Sequence, residues 1–237
     1  MEKNTNTNNF SEYYYGKLLK DVILFNKLSN GDFLQCSLEE KVKLVNLQIA
    51  IVGEELYEEY FKYYGKDDLE TLDSISDVLF TCSYYEYMMQ HISELEQESS
   101  EVSEYVNSHI NLNAMDMLSH GLEVFYKTFS NLYDLDLVVE ATDRVIENNM
   151  SKFTTDKEEA EKWEAPAKEN LTLSETVVNV GDGSTVTYYC FKNNDGKVRK
   201  KKGFKQVKLQ DLVDKQNERI NTFTEQSSDD VNSKFEA

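Results

Sequence analysis

The sequence predicts an all-α helical bundle with a small β-hairpin-rich C-terminal appendage, and three observations carry that expectation. Pro166 is the only proline in 237 residues, so the first two thirds of the chain contain no residue that removes a helical amide donor. Apolar residues there recur at steps of three and four, the period of one helix face. After Phe153 the pattern changes: β-branched and aromatic runs alternate with "GDG" and "NNDG", which is the grammar of short hairpins. The expected division is a helical domain over 11–153, a linker and small basic β-rich appendage over 154–215, and flexible polar tails at 1–10 and 216–237.

The elements follow in order. Residues 11–29 read as a helix with Leu18, Val22 and Phe25 on one side, closed by "NGD". Residues 37–65 open on a capping box, Ser37 with Glu40, and stop at Gly65. Asp67 or Asp68 caps the next helix, whose stripe Leu72, Ile75, Leu79, Cys82 is helical in period. Residues 98–108 are polar and read as a break or an exposed extension. From Ile110 to about Lys152 the pattern is helical again, with Leu122, Phe125, Phe129 and Leu132 as one run. Two hairpin signals follow, and the polar end from about Asn217 reads as frayed.

Lys and Arg total 25 against 44 Asp and Glu, a formal charge of -19. Such a balance argues against nucleic acid or an anionic membrane as the main partner. It suits a protein that binds cations or one that imitates an acidic polymer. The 40% hydrophobic content still supports a core. No stretch reaches the roughly 18 apolar residues of a membrane span, and the first fifteen residues hold no apolar signal core. Cys36, Cys82 and Cys190 are far apart and odd in number, so a disulfide framework or thiolate metal site is not expected and a reducing cytoplasm is.

The informative stretch is residues 53–80, "GEELYEEYFKYYGKDDLETLDSISDVLF". Extending the stripe Leu44, Leu47, Ile51 leads to Glu54 or Glu55 and then Glu58. Asp73 and Asp77 are four apart on the next helix and begin a stripe through Phe80, Tyr84 and Met88. A short connection makes the two helices antiparallel neighbours, so two pairs of acids can meet across one interface. Like charges there repel, and a hard divalent cation removes that cost. The plainer alternative is a solvated hairpin end with Lys62 paired to Glu58.

"GEELYEE" followed by "DSISDVLF" resembles the two acidic motifs of the MazG-like, all-α nucleoside triphosphate pyrophosphohydrolases. Glu55 and Glu58 match the first, and Asp77-Val78-Leu79-Phe80 the end of the second. "DRVIENNMSKF", residues 143–153, looks like the Asn-Met-Ser-Lys element of phage-type members, and "KDVILFNKL" resembles their opening. These matches run in order over residues 18–153. Many relatives carry Glu three residues before the final Asp; here that position is Ser74, and Asp73 is the expected substitute. Residues from about 91 to 120 are longer than in compact relatives.

The resemblance implies hydrolysis of a (deoxy)nucleoside triphosphate between the α- and β-phosphates, with Mg²⁺, or Mn²⁺ in its place, held by Glu55, Glu58, Asp73 and Asp77. Catalysis then rests on Glu54, Glu55, Glu58 and Asp77, with Glu54 as general base. Asn149 and Lys152 would contact the nucleotide. It also implies a homo-oligomer, dimer or tetramer, in the cytoplasm, or the host cytoplasm if the chain is phage-encoded. Two other functions compete: a non-catalytic protein of this fold that sequesters nucleotide, and an acidic DNA mimic. The basic run Lys197, Arg199, Lys200, Lys201, Lys202, Lys205 and Lys208 reads as a solvated hairpin face, or else as a device that steers nucleotide or touches nucleic acid or an acidic patch of another subunit. The appendage bearing it is expected to be separable from the chemistry.

Overall fold

A computed structural model describes residues 10–129, 132–167, 169–179 and 183–235. The chain is mostly helical, with a three-stranded antiparallel sheet in its C-terminal third. A helical turn of wider pitch, Tyr14–Leu18, leads into α1 (Leu19–Asn30). Then come α2 (Leu38–Gly65), α3 (Asp68–Glu98), α4 (Ser100–His109), α5 (Leu112–Phe129), α6 (Leu135–Met150) and the short α7 (Lys157–Glu161). Strands β1 (Thr172–Asn179), β2 (Thr185–Lys192) and β3 (Val198–Arg199) precede α8 (Gln210–Phe235).

The ends of α2 and α3 obey local chemistry. Ser37 Oγ accepts from the Glu40 amide and Glu40 Oε2 from the Ser37 amide, so the capping box forms. Gly65 is the last helical residue, and the left-handed position after it falls on Lys66, at φ 59°. Asp67 then caps α3 by accepting from the Glu70 amide. This tight link lays α3 antiparallel to α2. Ser99, with an extended backbone, ends α3 and caps α4, so the polar stretch 98–108 is a break followed by a separate helix. The long pattern from Ile110 to Lys152 also divides: Leu132 sits in the connection between α5 and α6, not on a continuing helix.

α3 is the central element. Leu72, Ile75, Val78 and Leu79 are buried against α6 and α8; Phe80, Cys82, Tyr84 and Met88 face α1, α2 and the α4–α5 side. Each aliphatic side chain so covered contributes about 1.5–3 kcal/mol relative to exposure. Hydroxyls inside this core are satisfied one turn back, as in Ser76 on the Leu72 carbonyl and Thr142 on that of Val138. On α2 the buried line is Val42, Val45, Ile49 and Val52. The line Leu44, Leu47, Ile51 is not the core face: Leu47 is 53% exposed. Two apolar stripes run along this helix, and periodicity alone does not rank them.

The hairpins form where the turn residues predict. β1 and β2 pair antiparallel from Thr172↔Lys192 to Asn179↔Thr185, and β2 pairs β3 across "NNDG". Gly196 supplies the positive φ of that second turn, and Asn193 Oδ1 accepts from the amides of Asp195 and Lys197. The sheet does not hang free. Val178 and Cys190 pack on Leu28 and Phe153, and Thr154 bridges to Tyr189. After it, Leu209, Leu212 and Val213 enter the core between α3 and α6. Residues 216–235, expected as a polar tail, belong to the helix α8, which Arg219 ties to Asp134 and Asp136 on α6's first turn. Residues 1–9 of the expected N-terminal tail lie outside the described residues. Among the described residues no helix is long and apolar enough to cross a membrane, and the three cysteines are free.

Candidate functional site

The antiparallel α2–α3 pair brings the sequence-predicted acids into one electrostatic neighbourhood. Glu55, half-buried on α2, has a carboxyl raised to about 7, first by burial and then by Glu58, Glu54 and Asp73. Asp77 on α3 is likewise raised to about 7, by burial and then by Asp73 and Glu55. Asp73 is also raised, by burial and then by Glu70. Glu54 and Glu58 are exposed. Lys62 does not pair with Glu58; it reaches across to Glu70 on α3 at 2.7 Å.

A cavity of about 720 Å³ opens beside Asp73 and Asp77. α3 supplies Leu69, Glu70, Asp73 and Asp77; α6 supplies Asn148 and Asn149. The C-terminal third supplies the rest of the lining, Lys200, residues 206–211 and Asp214, with Gln206 and Lys208 among them. Arg144 on α6 fastens that segment, donating to both carboxylate oxygens of Asp211 and to the Lys208 carbonyl, while Asn148 donates to the Lys205 carbonyl. Of the predicted residues, Asp73, Asp77 and Asn149 line the cavity; Glu54, Glu55, Glu58 and Lys152 stand outside its lining.

Lys152 is close to this site. Its ammonium donates to Asn149 Oδ1 at 2.6 Å and lies 5.6 Å from the Phe25 ring centre. Burial, reinforced by Lys200 and Lys197, lowers its pKa to about 8, while Asp77 pulls the other way. Asn149 and Lys152 thus act as one unit, the amide fixed by the ammonium.

The donor set fits a hard cation in its chemistry, since carboxylate oxygens are what Mg²⁺ takes and mutual repulsion is what a cation relieves. The placement is looser than a ligand shell. Among the described residues, no three His, Cys, Asp or Glu side chains stand together as a ready metal-holding group.

Sequence reasoning missed two residues of this region, Glu59 and Gln206. Glu59 is only 6% exposed and its carboxyl is raised by burial. It follows Val52 by two turns on the true core stripe, a signal that was available once the right stripe was chosen. Gln206 carries no signal, because only the fold brings residue 206 beside residue 73, whereas Lys200 and Lys208 of the basic run do reach the cavity. Ser74, where relatives carry Glu, is buried at 8% exposure, whereas Asp73 faces the cavity.

The chain matches no family model, no curated protein and no solved structure.

Proposed function

We propose that this chain is a Mg²⁺-dependent nucleotide pyrophosphohydrolase of the MazG-like kind, cleaving a (deoxy)nucleoside triphosphate to monophosphate and pyrophosphate. One observation supports it above others: Asp77, which lines a cavity of nucleotide size, is opposed in its ionisation by Asp73 on its own helix and by Glu55 on the antiparallel neighbour. Carboxylates arranged at such cost are explained by a cation that joins them.

In this reading Glu55, Glu58, Asp73 and Asp77 would hold Mg²⁺ or Mn²⁺, and the ion would supply charge neutralisation for the phosphates. Glu54, exposed beside Glu55, accepts the proton of the attacking water. Asn149 orients the sugar or base edge from α6, and the Lys152 ammonium behind it attracts phosphate. A second reading, a nucleotide-sequestering protein on the same fold, draws support from Ser74, buried where the resemblance leads one to expect a metal-binding Glu.

The assembly expected of such an enzyme, a homo-oligomer, has support in the apolar exposed side of α2, where Leu47, Tyr57 and Tyr64 are all more than half exposed. Turnover decides between the two readings. A panel of nucleoside triphosphates is incubated with Mg²⁺ and the products are resolved. Equal amounts of monophosphate and pyrophosphate support the hydrolase; tight binding without any product supports sequestration.

A further inference from the structure

The basic run of the appendage divides into two chemically different groups. Lys201 pairs with Glu159 at 3.3 Å and lies 3.9 Å from the Trp163 ring centre; Lys202 pairs with Glu164. Lys200 and Lys208 make no ion pair among the described residues, although acids outnumber bases 44 to 25 in this chain. Both line the cavity whose other wall holds Asp73 and Asp77, two carboxylates that also lack an ion-pair partner. The remaining cavity acids are engaged: Glu70 with Lys62, Asp211 with Arg144, Asp214 with Gln210.

Opposite charges therefore share one cavity without closing into an ion pair, and Lys200 stands near enough to Asp73 to offset part of the rise in its carboxyl. The lysine wall is not free to collapse onto the acids, because Arg144 and Asn148 grip its backbone and Leu209 and Leu212 anchor it in the core. Phe204 further positions Lys200, whose Nζ is 5.1 Å from the ring centre. A ligand that fits between such walls carries positive charge toward the carboxylates and negative charge toward the lysines.

We propose that Lys200 and Lys208 form a polyphosphate subsite, taking the pyrophosphate end of a metal-complexed di- or triphosphate. This rests on the proposed function above and assigns the appendage a part in it. The lysines meet non-bridging phosphate oxygens while Asp73 and Asp77 face the cation.

The test is calorimetric titration of inorganic pyrophosphate with Mg²⁺ into the full chain. A Lys200→Ala/Lys208→Ala variant is compared with wild type and with Lys202→Ala/Lys205→Ala, a charge-matched control outside the cavity lining. The cavity variant is expected to weaken binding about tenfold or more, the control less than about threefold, and Lys200→Arg/Lys208→Arg to keep most of the affinity. Thermal melting checks that each variant is folded. Equal losses in cavity and control variants would reduce the effect to net charge and overturn the subsite, as would no loss or no pyrophosphate binding by wild type. Nucleotide turnover is read separately. Turnover with unchanged pyrophosphate affinity in the cavity variant overturns the subsite alone, whereas lysine-dependent binding with no turnover of any nucleotide overturns the hydrolase and leaves the subsite standing.

Discussion

Glu55 and Asp77 carry the site's electrostatic cost, and that cost has a measurable sign. Both carboxyls titrate near 7 in the folded chain, from ordinary values of 4.5 and 3.8. The folded state therefore binds protons more tightly than the unfolded state between about pH 4 and pH 7. Stability of the metal-free protein is full below that window and falls as pH rises through 7. Thermal melts in a chelator should show a lower midpoint at pH 8 than at pH 5.5, and Asp77→Asn should remove about half of the difference, Glu55 keeping the rest; a wild-type midpoint that rises with pH would contradict this. At Ser74, Glu would be forced into a position 8% exposed beside Asp77. Ser74→Glu should therefore destabilise, by about 1–3 kcal/mol in denaturant titration, rather than restore a missing ligand. The acids were legible in the sequence because charged residues at helical spacing stood out beside apolar ones. Which of them face the cavity was not, since α2 carries two apolar stripes and the sequence favoured the one through Leu47.

Helix ends were the most readable elements, because their chemistry is local. Ser37 and Glu40 cap α2 and Asp67 caps α3 as their spacing predicts. The α2–α3 link departs in one detail: Lys66, not Gly65, takes the left-handed conformation. A side chain there costs roughly 1 kcal/mol that glycine avoids, so Lys66→Gly should raise stability by about 0.5–1 kcal/mol despite glycine's extra unfolded-state freedom. Equilibrium denaturation checks it, and a loss of stability would show that the Lys66 side chain has a role. The α5–α6 break was harder to read. "NLYDLDL" holds no proline or glycine, and its turn depends on Asp134 meeting Gln216 and Arg219 of α8, contacts 82 and 85 residues away in sequence.

Across the whole molecule, the C-terminal third is joined to the helical domain rather than appended to it. The composition break after Phe153 was legible and coincides with the change from helix to sheet, but separability does not follow from it. Leu209, Leu212 and Val213 complete the core shared by α3 and α6, and residues 200–214 form a cavity wall. Ending the chain at Glu164 uncovers Leu72, Ile75 and Leu137, so the truncated protein should be aggregation-prone or melt without a cooperative transition; a soluble, fully active truncation would contradict this. Leu212→Ala in the full chain should cost about 2–5 kcal/mol by the same packing argument, read by denaturant titration. The cavity and its acids are proposed to hydrolyse a nucleotide at the α–β linkage. Phosphorus NMR of a nucleoside triphosphate incubated with Mg²⁺ and the full chain tests it most directly, with Asp77→Asn run in parallel. The wild type should give monophosphate and pyrophosphate in equal amounts, and Asp77→Asn should convert the nucleotide at least about a hundredfold more slowly. Inorganic phosphate with diphosphate, equal rates in both proteins, or no conversion of any nucleotide in the panel would contradict it.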